Sequence, residues 1–160
     1  MPILNPSVIT KKLEKVEELR SRILVIVGEC MMEHKEEIVA LLEYQQYSEG
    51  VDSANNPLRQ YSPGYEFMKT KAGLYTGKTD LHYSGEFQAG INLAVDGEAY
   101  TFDSPATTLN GILKSTWLNE WNKKTGGSDI MELTPENKKI VWTIIAPTFR
   151  YKSANELVSN

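Results

Sequence analysis

Residues 87–102 constrain the fold of this chain more than any other stretch. Phe87, Ala89, Ile91, Leu93 and Val95 alternate with Gln88, Gly90, Asn92 and Ala94. Alternation of this kind puts one set of side chains on one face of a strand. Asp96-Gly97 follows, two residue types able to take the positive φ of a type I′ turn. The return run carries Tyr100 and Phe102 on one face. The pattern predicts an antiparallel β-hairpin over about 86–103.

Helical patterns flank it. Over 10–47, Leu13, Val16, Leu19, Ile23 and Ile26 recur in steps of three and four, with Lys11, Lys12, Glu14, Lys15, Glu17 and Glu18 between them. This spacing predicts an amphipathic helix with Thr10 as its N-cap. Gly28 is expected to end or kink it. The pattern resumes at Glu37, Ile38, Leu41, Leu42 and Tyr44, giving one long bent helix or two in tandem. Residues 48–59 are rich in Gly, Asp, Asn and Ser and read as a loop. Ser62 followed by Pro63 predicts a capped short helix, with a loop over 73–79. Ser104-Pro105 is expected to open another helix carrying Leu109, Ile112, Leu113, Thr116 and Trp117, weakened by Gly111 by about 1 kcal/mol relative to alanine. Residues 123–128 read as a polar loop. Thr134-Pro135-Glu136-Asn137 opens a last helix with Ile140, Val141, Ile144 and Ile145 on one stripe, which Pro147 is expected to end or kink. The expected architecture is α+β. An antiparallel sheet is built around the hairpin, with a long N-terminal helix and C-terminal helices packed on it. One domain spans 1–160, with 1–9 and 153–160 as flexible ends.

Composition excludes several functions. The chain has 160 residues, of which 41% are hydrophobic and 24% charged, within the range of ordinary globular domains. A net charge of −4 argues against broad adhesion to duplex DNA or anionic membrane, which needs a surplus of Lys and Arg. Cys30 is the single cysteine, so no intrachain disulfide forms, in keeping with a reducing cytosol. The aliphatic run 23–27 is far shorter than the roughly 20 residues of a membrane span and does not sit in a signal-peptide layout. A soluble protein made in a cytoplasm is expected.

The stretch AGLYTGKT (72–79) satisfies a loosened phosphate-loop pattern. Its setting argues otherwise. A phosphate loop follows a buried strand and opens a helix, so that backbone N–H groups and the helix N-terminus face the phosphates. Here 65–71 reads as helical, 80–85 does not begin a helix, and the first motif position is Ala72. A flexible polar loop is the better reading. Other constellations are also weak. Cys30 and His34 share a helical face, but a structural metal site wants four ligands. Cys30 or Ser84 could be paired with His82 as nucleophile and base, yet no glycine elbow surrounds the serine. Asp80 and Glu86 read as turn residues rather than paired acids. Trp117, Trp121 and Trp142 lack a basic strip beside them, so packing explains them better than base stacking.

A longer constellation runs through Gln46, Gly50-Val-Asp52, Pro57-Leu58, Tyr61-Ser62-Pro-Gly-Tyr65-Glu-Phe-Met-Lys69 and Asp80-Leu81-His-Tyr-Ser84-Gly85-Glu-Phe87. It resembles small virion-morphogenesis proteins of tailed phages, the tail-completion and head–tail joining (neck) group, and is similar to versions in phages of gut Bacteroidetes. That group carries a Tyr-Ser-x-x-Tyr-x-x-x-Lys segment and then an Asp-Leu-x-x-Thr-Gly-x-Phe turn, with Ser84 here in place of Thr. Ile130-Met-Glu-Leu-Thr-Pro-Glu-Asn137 resembles the apolar stretch and capped last helix of the same group. The likeness covers about 36–149; the aliphatic-rich N-terminal helix is less typical of it.

The resemblance implies a bacteriophage structural protein in the virion's neck or tail region, made in the bacterial host cytoplasm. It implies a homo-oligomeric ring (a head–tail connector) that contacts neighbouring neck, portal or tail proteins. DNA passes through its channel without sequence-specific binding, and there is no membrane partner. No catalysis, cofactor or metal is implied. Tyr61, Ser62, Tyr65, Lys69, Asp80, Leu81, Ser84, Gly85 and Phe87 are then structural or interface residues. Tyr61 and Tyr65 are expected to lie against the sheet, and the Asp-Leu-x-x-Ser-Gly turn to set the entry of the first hairpin strand. The alternatives are a small nucleotide-binding enzyme using 72–79 and a host-directed binding module.

Overall fold

The hairpin forms, but it begins later than the alternation places it. The computed structural model describes residues 6–74, 77–96 and 99–158. Strand β1 (Asn92–Asp96) pairs antiparallel with β2 (Ala99–Asp103), with Leu93 opposite Phe102 and Val95 opposite Tyr100. Asp96 closes β1 opposite Ala99, so it is a strand residue; Gly97, and with it the expected turn type, lies outside the described residues.

The residues expected to start the strand form a one-turn helix instead, α4 (Glu86–Ala89). Phe87 and Ile91 are both buried. They stand four apart, so one helical turn buries them together as well as a strand would. The N–H groups of Ala89 and Gly90 bond back to the carbonyls of Gly85 and Glu86, which fixes the helical alternative.

Two strands alone are marginal, so the sheet needs cover. Leu93 and Phe102 are buried, while Asn92, Ala94, Thr101 and Asp103 are exposed on the other face. The cover is helical: α1 (Pro6–Glu33) and α2 (Lys35–Tyr44) both lie against β1. The two helices are in tandem, and the break is at His34, not Gly28. Gly28 sits inside α1 at its approach to the sheet. A Cβ there would lie 3.2 Å from Cγ1 of Val95, so glycine permits the close packing. Thr10, expected as a cap, is also inside α1.

Helix α6 (Pro135–Val158) runs beside α1. Lys152 Nζ reaches Glu29 Oε2 at 2.6 Å and Glu33 Oε1 at 2.7 Å. Pro147 lies within this helix without ending it, and the helix continues through 153–158, which were expected to fray. Thr134 caps its start, accepting the Asn137 N–H at 3.2 Å.

Residues 104–113 do not form the expected helix. Thr107 and Leu113 make an isolated bridge, Gly111 takes φ 77°, and Leu109 is fully exposed. Helix α5 (Lys114–Lys123) starts only after this turn and does carry Thr116 and Trp117. The innermost apolar side chains are Ile38, Leu42, Leu93, Ile130 and Leu133.

A π-helical turn (Gln45–Glu49) ends the N-terminal helices and aims two glutamines inward. Gln45 donates to the Glu132 carbonyl and accepts from Thr134 N–H and the Asn137 amide; Gln46 donates to the Ile130 carbonyl. These bonds tie the end of α2 to the start of α6.

Candidate functional site

The segment around Tyr61, Lys69 and Asp80 folds into one buried unit. Helix α3 (Pro63–Lys71) begins as expected: Ser62 Oγ accepts the Tyr65 N–H at 3.4 Å and Pro63 occupies the first turn. The four-residue spacing of Tyr65 and Lys69 puts both on one helical face. Lys69 Nζ reaches Asp80 Oδ1 at 2.5 Å, and neither side chain is open to water. The same oxygen accepts the Tyr61 hydroxyl at 2.9 Å and the His82 N–H at 3.0 Å. The ammonium also lies 4.7 Å from the centre of the Tyr61 ring. Cation, carboxylate and phenol thus share a charge-assisted network in a dry setting. Burial, and then the Asp80 carboxylate as acceptor and as neighbouring charge, push the Tyr61 phenol well above its ordinary value.

Backbone geometry supports the carboxylate. Leu81, buried, takes φ 54°, and this left-handed step lets Asp80 accept a bond from its own chain two residues on. Gln88 donates to the Asp80 carbonyl at 3.3 Å. Ser84 Oγ accepts from Glu86 N–H, and Gly85 takes φ 80° at the start of α4. The Phe87 side chain is buried, and its carbonyl accepts the Ser104 hydroxyl at 2.9 Å. The turn therefore sets a helical turn first and the strand after it, and it is tied to the far end of the hairpin.

Tyr61 and Tyr65 do not lie against the sheet as expected. Tyr61 stacks on Trp121 of α5 with ring centres 6.1 Å apart, and Tyr65 meets Tyr83 at 5.9 Å. The tyrosines meet each other at 4.9 Å. Between α3 and α5 this leaves an open groove of ≈ 290 Å³, lined by Tyr61, Tyr65, Leu81, Trp117, Leu118 and Trp121, with Ser62 at its edge. An adjoining hollow of ≈ 170 Å³ takes in Ser84, Gly85 and Phe87. All nine residues singled out in the sequence thus meet in one place: Lys69 and Asp80 form the buried ion pair, and the other seven line the two hollows.

A second buried carboxylate was not singled out as a site residue. Asp52 accepts N–H bonds from Ser128 at 2.6 Å and from Ala54 and Asn56 at 3.0 Å. Burial alone would raise its carboxyl, but these three N–H groups and the Asn56 amide outweigh it and hold the group below the usual carboxylate value. The run Asp52-Ser-Ala-Asn-Asn56 is the composition of a side-chain-capped turn, which is the signal that points to it.

The remaining candidates are occupied elsewhere. In the 72–79 stretch, Tyr75 and Thr76 lie outside the described residues. A helix, not a strand, leads in, and no helix opens directly after Thr79. Lys78 Nζ bonds the Ser48 carbonyl, and Thr79 donates to the Arg59 carbonyl at 2.6 Å. These residues fasten one loop to another. Cys30 is fully buried, and burial pushes its thiol up. His34 bonds Thr148 and Glu37. Among the described residues, no group of three or more His, Cys, Asp or Glu is arranged to hold a metal. His82 faces Tyr47, with ring centres 5.3 Å apart. Glu86 pairs with Lys114 at 2.9 Å, so Asp80 and Glu86 each have a separate cation. Trp142 is exposed and lies against Phe149.

Fold and site together define a small α+β protein in which a buried Lys–Asp–Tyr network underlies an aromatic groove. The chain matches no protein-family model, no curated protein and no solved structure. Among the described residues, no helix is long and apolar enough to cross a membrane.

Proposed function

We propose that this chain is a structural virion protein of the tail-completion or head–tail joining type, acting as a homo-oligomeric ring at a phage neck. The observation that carries the reading is how the resemblance-bearing residues are used. Lys69 and Asp80, which a catalytic site would need accessible, neutralise each other inside the protein, while the aromatic rings beside them form an outward groove. A rigid base under an aromatic surface suits a subunit contact, since ordered aromatic rings add contact area at little entropic cost. The partners are copies of the chain and the adjoining portal, neck or tail proteins. A net charge of −4 suits a channel wall along which DNA moves without sticking.

The test is to purify the particles and identify their proteins by mass spectrometry, then image the neck by electron microscopy. A ring of this chain between head and tail is expected. Absence from purified particles overturns the reading. Heat on titration with ATP or GTP and magnesium, lost in Lys78→Ala, would replace it with a nucleotide-binding one.

A further inference from the structure

The projecting half of α1 has no partner within the described fold that covers its apolar stripe. Every residue over 9–23 is exposed, a length of about 22 Å of helix. Ile9, Leu13, Val16, Leu19 and Ile23 remain between 40% and 61% exposed, whereas Ile26 and Cys30, further along the same helix, are buried in the body. An isolated helix of this length is marginal in water, so an apolar stripe on it calls for an apposed surface.

Charge decides between the candidate surfaces. Val16, Leu19, Ile23 and Ile26 keep the three-and-four spacing of a coiled-coil seam, and the positions flanking it are Lys15, Arg20 and Arg22. A parallel pairing of this helix with another copy of itself would set Lys15 against Arg20, while Arg22 is held by Glu18 at 3.0 Å. The exposed stretch carries five basic and three acidic side chains, a net +2; with −4 for the whole chain, residues 24–160 carry −6. The body of another copy is therefore the complementary surface. That body carries an apolar, aromatic groove between α3 and α5. The exposed Glu66 and Glu120 are sequence neighbours of Tyr65 and Trp121; of the cations nearby, Lys114 is paired with Glu86, and Arg59 lies over the Trp121 ring, 5.7 Å from its centre, and donates to the Trp121 carbonyl.

We propose that the projecting half of α1 docks its Leu13–Val16 side into the Tyr65–Trp117–Trp121 groove of a second copy. Helix stripe and groove are different surfaces, so the contact is head-to-tail and propagates until a ring closes or a filament grows. The inference rests on the ring reading above, and its test uses the isolated full-length protein, so the two can fail separately.

The experiment compares three full-length proteins by analytical ultracentrifugation over a range of concentrations. They are the wild type, an arm variant (Leu13→Asp with Val16→Asp) and a groove variant (Trp117→Ala), each first shown to be folded by circular dichroism. The wild type is expected to form species larger than dimers, and each variant alone to be monomeric. An equimolar mixture of the two variants is expected to stop at dimers, because one supplies a sound groove and the other a sound arm. Three results overturn the proposal: a wild type monomeric at every concentration, an arm variant that assembles as the wild type does, or a variant mixture that stays monomeric. Association lost in the arm variant and kept in the groove variant would also overturn it, and would point to arm–arm pairing.

Discussion

Lys69 Nζ lies 2.5 Å from Asp80 Oδ1, and both side chains are shut off from water. Such a pair adds little net stability as a pair, because desolvation offsets the attraction, but removing either half strands a charge. Lys69→Met and Asp80→Asn should therefore each cost about 3–5 kcal/mol in urea unfolding. Lys69→Met combined with Asp80→Leu should recover much of that loss. Single variants that each cost under about 1 kcal/mol would show that the pair is not desolvated as described.

Tyr61 bonds the same carboxylate oxygen at 2.9 Å and gives an alkaline signature. Its folded-state value is raised above the unfolded reference of 10.0. The neutral phenol is thus favoured in the folded protein. The associated stability is complete below pH 10 and is lost progressively as pH rises from there towards the folded value. Tyr61→Phe should lower stability at neutral pH by about 1.5–3 kcal/mol, the range for a hydrogen bond to a charged group. It should also soften the alkaline loss without abolishing it, since Tyr65 and Tyr100 are raised by burial too. An unchanged alkaline limb in chemical denaturation would rule this out.

Local signals agree with the structure at some positions and not at others. Ser62-Pro63 and Thr134-Pro135 start helices, whereas Ser104-Pro105 does not, because the Ser104 hydroxyl donates to the Phe87 carbonyl instead; of the alternation over 86–103, the part from 92 makes the hairpin. Where two rules fit the same residues, the pattern could not decide. Phe87 and Ile91 satisfy period two and a helical step of four, and the hydrogen bonds of Ala89 and Gly90 select the helix. Gly28 read as a breaker, but its role is tertiary, a close approach to Val95 that no local window contains.

The site divides in the same way. Tyr61, expected on the same helical face as Tyr65, stands before the Ser62 cap and outside α3. Tyr65 and Lys69 could be placed on one helical face from spacing. The bond to Asp80 could not, because it spans eleven residues and a loop. The burial of Gln45 and Gln46 is not legible in a hydropathy pattern, which assigns glutamine to the surface; Gln45 is satisfied by Glu132, Thr134 and Asn137, and Gln46 donates to the Ile130 carbonyl while its Oε1 is left without a partner. The spacing of Leu13, Val16, Leu19 and Ile23 shows a helix face, but not that nothing among the described residues covers it.

Asp52 predicts an acid signature of opposite sense. Its folded-state value lies below the unfolded reference of 3.8, so its stability is present above that pH and is lost as pH falls through the folded value. Asp52→Asn should cost about 1.5–3 kcal/mol near neutrality, since the amide cannot replace both acceptor oxygens facing Ser128, Ala54 and Asn56. The gap between wild type and variant should narrow below about pH 4. A gap that stays constant with pH would mean that the carboxylate charge is not what the N–H groups stabilise.

Two glycine-to-alanine changes should move stability in opposite directions. Gly50 takes φ 68°, and a Cβ there would lie 2.7 Å from the Thr79 carbonyl oxygen, where the 48–59 loop meets the 77–80 segment. Alanine at 50 meets both a left-handed backbone, unfavourable by about 1–2 kcal/mol, and a clash with main chain that cannot rotate away. Gly64, in the first turn of α3, has no atom within 4 Å of the added Cβ. There alanine restricts only the unfolded chain and should stabilise by about 0.4–1 kcal/mol. Thermal unfolding of Gly50→Ala and Gly64→Ala against wild type reads both signs in one experiment. The Gly50 variant should also loosen Lys78 from the Ser48 carbonyl, because both contacts hold the same pair of loops together. Faster amide exchange over 77–80 in that variant, with α6 unchanged, is the expected pattern; a Gly50→Ala protein as stable as wild type would mean that the two loops are not in fact fastened there.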